Sequence, residues 1–173
     1  LYDSLIKGIM NGGCDVIEVE CATTSLVAFS TKHFKADAGV MVTASHLPKD
    51  WNGLKFLNND GSGLSNGDLA KIKQEYHKGE FQKHKKGKSL FYRIDAYEAY
   101  CRSAGRLMKK RFGSDFSNIR CVIDPGHGTG AFVTPVMMSN MDVDTLCMNM
   151  DLDGSFPSRE PNPTKNNIKE LST

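Results

Sequence analysis

At 173 residues, with 39% hydrophobic and 24% charged side chains, the chain has the make-up of a folded globular protein, not a disordered one. A formal net charge of +2 argues against a dedicated nucleic-acid binder and leaves small anionic substrates open. No apolar run approaches the ~18–20 residues of a membrane helix, and no signal peptide opens the chain.

The five cysteines, Cys14, Cys21, Cys101, Cys121 and Cys147, are scattered and form no C-x-x-C pair. Neither a zinc site nor a disulfide framework is indicated, and reduced thiols in a cytoplasmic protein are expected. The chain opens at Leu1 inside an expected helix and closes at Thr173 as another begins, so both ends read as cut and a longer parent protein is expected.

In chain order, residues 1–10 place Leu5, Ile6 and Ile9 on one helical face, and Gly12 and Gly13 stop that helix. Val16, Ile17 and Val19 among acids over 15–20 read as a strand. Ala22 to Ser25 could cap a helix over 26–34, and residues 38–42 are the next strand. This β-α-β order favours a parallel sheet with a right-handed crossover. A turn-rich loop holding Ser45, His46 and Pro48 follows, and the chain returns through Asn52 and Gly53 to a short strand over 54–57. Residues 58–63 are a turn, and Ser65 or Asn66 opens a helix to about 77.

The basic run over 83–88 reads as a solvated connection rather than an anion or nucleic-acid patch. A long helix over 94–112 carries Ala96, Tyr97, Tyr100, Ala104, Leu107 and Met108 at helical spacing, as core positions, and Gly113 ends it. A second unit then begins: a strand over 119–123, a glycine-rich turn over 124–130, a helix over 131–139 and a strand over 143–148.

Two stretches carry chemistry. Ser45 at a strand end, with His46 beside it and Lys55 ten residues on, suits a nucleophile with basic neighbours, although an ordinary turn uses the same residues. Gly128 and Gly130 before a helix could cradle a phosphate on backbone amides, and close strand-to-helix packing explains them equally well.

The succession Thr43, Ala44, Ser45, His46, Leu47 and Pro48, then Asn52, Gly53, Leu54, Lys55 and Phe56, resembles the active-site serine loop of the α-D-phosphohexomutases. That family includes phosphoglucomutase, phosphomannomutase and phosphoglucosamine mutase. Its usual form is T-A-S-H-N-P followed by N-G-x-K-F, and Leu47 stands here in place of the Asn. Downstream, the run from Asp124 to Gly130 resembles the D-x-G-N-G-A-G turn of the family's second domain, with His127 for Asn and Thr129 for Ala. Asp153, Gly154, Ser155, Phe156 and Pro157, then Pro161, Asn162 and Pro163, resemble its D-G-x-F-P … P-N-P segment. The likeness runs from about residue 13 to 163.

The resemblance implies an α/β fold: a mixed-sheet α/β/α domain I over 1–112, truncated at its N-terminus, and the start of a similar domain II over 119–173. It implies Ser45 as the carrier of a phosphoryl group that moves between the 1- and 6-positions of a hexose through a bisphosphorylated sugar. Lys55 is implied in acid–base chemistry or charge stabilisation, and His46 in binding phosphate or shuttling a proton. A phosphoserine carries about −1.5 to −2 charges, which implies Mg²⁺ with the Ser45 phosphate as one ligand. The other ligands belong to a D-G-D-x-D-R loop that this sequence lacks and that is expected beyond Thr173. Hexose 1,6-bisphosphate is the implied activator and a hexose phosphate the implied partner, with no nucleic acid and no membrane.

The chain alone is expected to be inactive. A non-catalytic phosphosugar-binding or regulatory relative is the alternative, favoured by Leu47. A serine hydrolase lacks its G-x-S-x-G elbow, and a nucleotide binder lacks its Walker lysine and a full G-x-G-x-x-G. Glucose, mannose and glucosamine phosphates are not distinguished.

Overall fold

The computed structural model describes residues 1–79 and 89–172. The basic run over 83–88 lies outside them. Two compact units are present, and they do not follow chain order. The first comprises Leu1–Glu20, Val27–Val42 and Leu54–Asp95, the second Cys21–Leu26, Thr43–Gly53 and Ala96–Thr173.

In the first unit, helix α1 (Tyr2–Asn11) half-buries Leu5, Ile6, Ile9 and Met10, the stripe its spacing predicts. Strand β1 (Val16–Glu18) follows. Helix α2 (Thr24–His33) starts in the second unit, where the Thr23 hydroxyl accepts the Leu26 N–H at 3.2 Å, and runs into the first. Strand β2 (Ala38–Val42) lies against the part of α2 in the first unit because position 39 is glycine. A Cβ there would sit 2.2 Å from Thr31 Oγ1. Val27 and Leu57 are buried within this unit.

Strand β3 (Leu54–Asn58) runs antiparallel to β2, with Val42 opposite Leu54, Met41 opposite Lys55 and Val40 opposite Phe56. The turn that follows closes through Gly61 N–H to Asn58 C=O at 2.9 Å and Asn58 N–H to Ser62 C=O at 2.7 Å. Helix α3 (Asn66–Lys78) has Ser65 as its N-cap, and Gly79 ends it. Strand β4 (Phe91–Arg93) pairs parallel with β1, Ile17 opposite Tyr92. The parallel partner of β1 is therefore β4, not β2, which pairs with β3. The short loop to β3 leaves only an antiparallel partner within reach of β2, and the β1 partner arrives 75 residues later.

Helix α4 (Tyr97–Phe112) belongs to the second unit and starts three residues later than its spacing predicts, because Ile94 N–H still bonds to the Glu18 carbonyl of β1 at 2.9 Å. Strand β5 (Arg120–Ile123), helix α5 (Gly130–Ser139) and strand β6 (Asp144–Cys147) follow. β5 and β6 pair parallel, Val122 opposite Leu146, so α5 is a crossover helix. Leu26 and Cys101 are fully buried here, with Ala96, Phe116, Ile123, Val133 and Met141 around the same core. The Tyr97 hydroxyl donates to the Cys21 carbonyl and its ring meets Phe132 edge-on at 6.3 Å. The last element is a 3₁₀ turn, Glu170–Ser172. Among the described residues, no helix is long and apolar enough to cross a membrane.

Candidate active site

The serine loop over 43–53 leaves β2 and returns into β3, yet it groups with the second unit. Its ends are tied by Thr43 N–H to Gly53 C=O at 2.9 Å, which continues the β2–β3 ladder one step outward. Inside it, Leu47 N–H donates to Ala44 C=O at 3.2 Å, and Trp51 N–H to Pro48 C=O at 3.0 Å. Ser45 stands in the first of these two tight turns, and Pro48 and Asp50 in the second, residue types that turns favour.

Ser45 is the second residue of the first turn, with φ +66, in the left-handed region that a non-glycine residue rarely occupies. Strain of this kind, about 1–3 kcal/mol, gathers at ligand-binding and catalytic positions. The Ser45 N–H donates to Thr43 Oγ1 at 2.9 Å, and this bond holds the strained turn. Ser45 is exposed, and its Oγ lies 3.3 Å from His46 Nδ1. A hydroxyl within hydrogen-bond reach of an imidazole nitrogen can pass its proton to that ring. Lys55 is exposed on β3 opposite Met41, in the first unit. The structure joins Ser45 to His46, and the register of β3 sets the position of Lys55 on its strand.

Leu47, where the resemblance expects Asn, is 43% exposed, so its apolar side chain faces water beside the serine. The part played by Thr43 was missed by sequence reasoning. A hydroxyl residue two positions before a turn residue is the signal that would have found it.

The glycine-rich turn after β5 is packed from within. Gly126 N–H donates to Asp124 Oδ1 at 2.8 Å, His127 N–H to Asn149 C=O at 3.0 Å, Gly128 N–H to Pro125 C=O at 3.0 Å and Ala131 N–H to Gly128 C=O at 3.1 Å. The Gly128 amide, so engaged, is not offered to a phosphate. Gly126 is required by close packing: with φ +56, a Cβ there would lie 2.4 Å from the Arg159 guanidinium.

That guanidinium pairs with Asp124 through Nε and Oδ2 at 2.9 Å, with side chains 12% and 2% exposed. Burial pushes the Asp124 carboxyl up. The Arg159 guanidinium, the Asn149 amide and the Gly126 N–H outweigh that and hold it below the usual carboxylate range. His127, 7% exposed, bonds through Nδ1 to the Asp151 carbonyl at 2.8 Å and through Nε2 to Ser158 Oγ at 2.7 Å. Since a carbonyl only accepts, Nδ1 carries a proton.

Among the described residues, no group of three or more His, Cys, Asp and Glu side chains is arranged to hold a metal ion.

Residues 1–83 match the model of phosphoglucomutase/phosphomannomutase α/β/α domain I, and residues 98–173 that of α/β/α domain II. The chain belongs to the phosphoglucomutase/phosphomannomutase family. A phosphoglucomutase/phosphomannomutase of Thermococcus kodakarensis is 31% identical over 173 residues, across 98% of this chain and 37% of the relative. A Methanopyrus kandleri protein named "Probable phosphoglucosamine mutase" is 32% identical, across 99% of this chain and 37% of the relative. The crystal structure of a phosphoglucomutase/phosphomannomutase family protein from Burkholderia thailandensis superposes with a TM-score of 0.84 at 19% identity, over 98% of this chain and 37% of that one. The fold class is that of family domains I and II, as the serine loop and the glycine-rich turn imply. This chain spans a little over a third of the length of these relatives, whose names are those of mutases.

Proposed function

We propose that this chain is the nucleophile-bearing part of a phosphohexomutase that interconverts hexose 1-phosphate and hexose 6-phosphate. One observation carries the reading: Ser45 is held in a left-handed turn at an exposed loop with its Oγ 3.3 Å from His46 Nδ1. In the proposed cycle the phosphoryl group starts on Ser45 Oγ. A hydroxyl of the hexose monophosphate attacks phosphorus and loses its proton to a base, its bond to phosphorus forms as the Ser45 Oγ–P bond breaks, and the departing Oγ takes up a proton to become the serine hydroxyl. The bisphosphorylated sugar turns and returns its other phosphate to Ser45, whose hydroxyl gives up its proton as the new ester forms. His46 is assigned to that proton, being within reach of Oγ.

Lys55 is assigned to acid–base chemistry or to stabilising the charge spread over the transferring group. Mg²⁺ would offset phosphoryl charge when bound, with its remaining ligands in parts of the whole protein that this chain does not span. Hexose 1,6-bisphosphate is proposed to load the serine, and the site is proposed to work in the cytoplasm on small sugars, without nucleic acid or membrane.

The test is Ser45→Ala in the full-length protein. Turnover of glucose 1-phosphate and mannose 1-phosphate should fall by more than about a thousand-fold, with the fold kept by circular dichroism. Activity within about tenfold of the unsubstituted protein overturns the assignment. Leu47 favours a second reading, a relative that binds phosphosugars without turning them over. Binding with no turnover by the unsubstituted full-length protein would establish that one.

A further inference from the structure

Thr43 is the first residue beyond β2, and it makes two hydrogen bonds of different kinds. Its N–H donates to the Gly53 carbonyl at 2.9 Å and closes the neck of the serine loop. Its Oγ1 accepts the Ser45 N–H at 2.9 Å and reaches into the loop. One residue thus joins the neck to the backbone of the candidate nucleophile. The neck itself is a close fit. A Cβ on Gly53 would lie 3.0 Å from the Thr43 carbonyl, and Asn52 Oδ1 accepts the Gly53 N–H at 2.9 Å. Thr43 is half-buried there, and a β-branched side chain has few χ1 choices, so a fixed backbone at 43 fixes where its hydroxyl points.

Both polar ends of the Ala44–Ser45 peptide are tied. Its carbonyl, on Ala44, accepts the Leu47 N–H at 3.2 Å, and its N–H, on Ser45, is the group that Thr43 Oγ1 holds. Ser45 stands at φ +66, a conformation that a serine leaves unless its surroundings hold it. The low-cost way out is a flip of that peptide plane, which turns φ of Ser45 out of the left-handed region while its neighbours stay in place. A flip also swings Ser45 Cβ, and Oγ with it, relative to the neck. The Thr43 hydroxyl opposes it by holding the N–H end of the plane.

We propose that Thr43 is a positioning residue for Ser45: its hydroxyl holds the Ala44–Ser45 peptide plane and, through it, the left-handed backbone that aims Ser45 Oγ. The consequence for turnover rests on the function proposed for Ser45; the hold on the plane does not. The neck uses only the N–H of residue 43, and valine suits a strand end as well as threonine does. Thr43→Val therefore keeps the shape and the neck and removes the hydroxyl alone. Thr43→Ser keeps the hydroxyl.

The test joins two measurements on the full-length protein. One is amide hydrogen exchange, read by mass spectrometry on peptides covering 43–47. The other is steady-state turnover of glucose 1-phosphate and mannose 1-phosphate with Mg²⁺ and hexose 1,6-bisphosphate. Thr43→Val should speed exchange over 43–47 by about three- to tenfold, the worth of one hydrogen bond. It should lower kcat by about ten- to a hundred-fold with KM within about threefold, because a misaimed nucleophile costs rate and leaves substrate binding alone. Thr43→Ser should stay within about threefold of the unsubstituted protein in both measurements.

Exchange over 43–47 unchanged in Thr43→Val overturns the proposal, whatever the activity. So does Thr43→Ser as impaired as Thr43→Val, which would assign the effect to the methyl group. Faster exchange in Thr43→Val with kcat unchanged overturns the claim that the hydroxyl aims Oγ. If the unsubstituted protein neither turns over hexose phosphates nor carries phosphate on Ser45, while Thr43→Val exchanges faster than Thr43→Ser, the functional reading fails and the hold of Thr43 on the loop stands.

Discussion

Ser45 and Asp124 stand at opposite extremes of side-chain environment. Ser45 is exposed and strained, held by Thr43 and touched by His46. Asp124 is sealed, with all its bonds made inside the protein. Removing one charge of a buried pair strands the other. Asp124→Asn should therefore lower unfolding stability by about 3–5 kcal/mol at neutral pH, measured by urea titration. Its pH signature has a definite sign. The folded carboxyl titrates below its unfolded value, so its contribution is complete above the ordinary aspartate range, near pH ~3.9, and fades as pH falls through the lower folded value. Asp124→Asn should flatten that acid limb.

The pairing of Asp124 with Arg159 was not legible in the sequence, because 35 residues separate the two and Arg159 falls between the two halves of a motif that gives it no role. His127 was legible only as a turn residue. Its burial depends on Asp151 and Ser158, which fold over it from downstream. Ser45 and His46 were legible as neighbours because adjacency in the chain guarantees adjacency in space. The left-handed backbone that sets their geometry was not.

At the scale of elements, segments marked by apolar spacing, caps and turns were easy to read, and the three-residue strand β4 was not. α1, α2, α3, β2 and β3 lie within about two residues of their predicted bounds, since apolar spacing and caps mark them. α3 illustrates why. Ser65 Oγ accepts the Asp68 N–H at 3.1 Å and donates to the Asp68 carboxylate at 2.7 Å, a cap visible three residues ahead. Ser65→Ala should cost about 1 kcal/mol, seen as a lower urea midpoint with an unchanged slope.

β4 was missed because Phe91–Arg93 is three residues long, too short for alternation to show, and because its apolar neighbour Ile94 was absorbed into the helix predicted after it. With β4 missing, β1 had no parallel partner but β2. A pairing between residues 75 apart is a tertiary fact, and no local spacing encodes it.

For the whole molecule, the serine loop is carried by the strands of one compact unit and grouped with the other. This chain covers a little over a third of the length of its relatives, and no metal-holding cluster is present among its described residues. The account therefore predicts no Mg²⁺-dependent conversion of glucose 1-phosphate by the 173-residue chain in a coupled assay, and measurable turnover by that chain would refute it.

The central claim is that Ser45 carries a phosphoryl group. Peptide-mapping mass spectrometry of the native protein tests it most directly, on the peptide containing Ser45, before and after exposure to hexose 1,6-bisphosphate and Mg²⁺. The account predicts phosphate on Ser45 itself, present as isolated or gained on exposure. A bare Ser45 under both conditions in the full-length protein would contradict it.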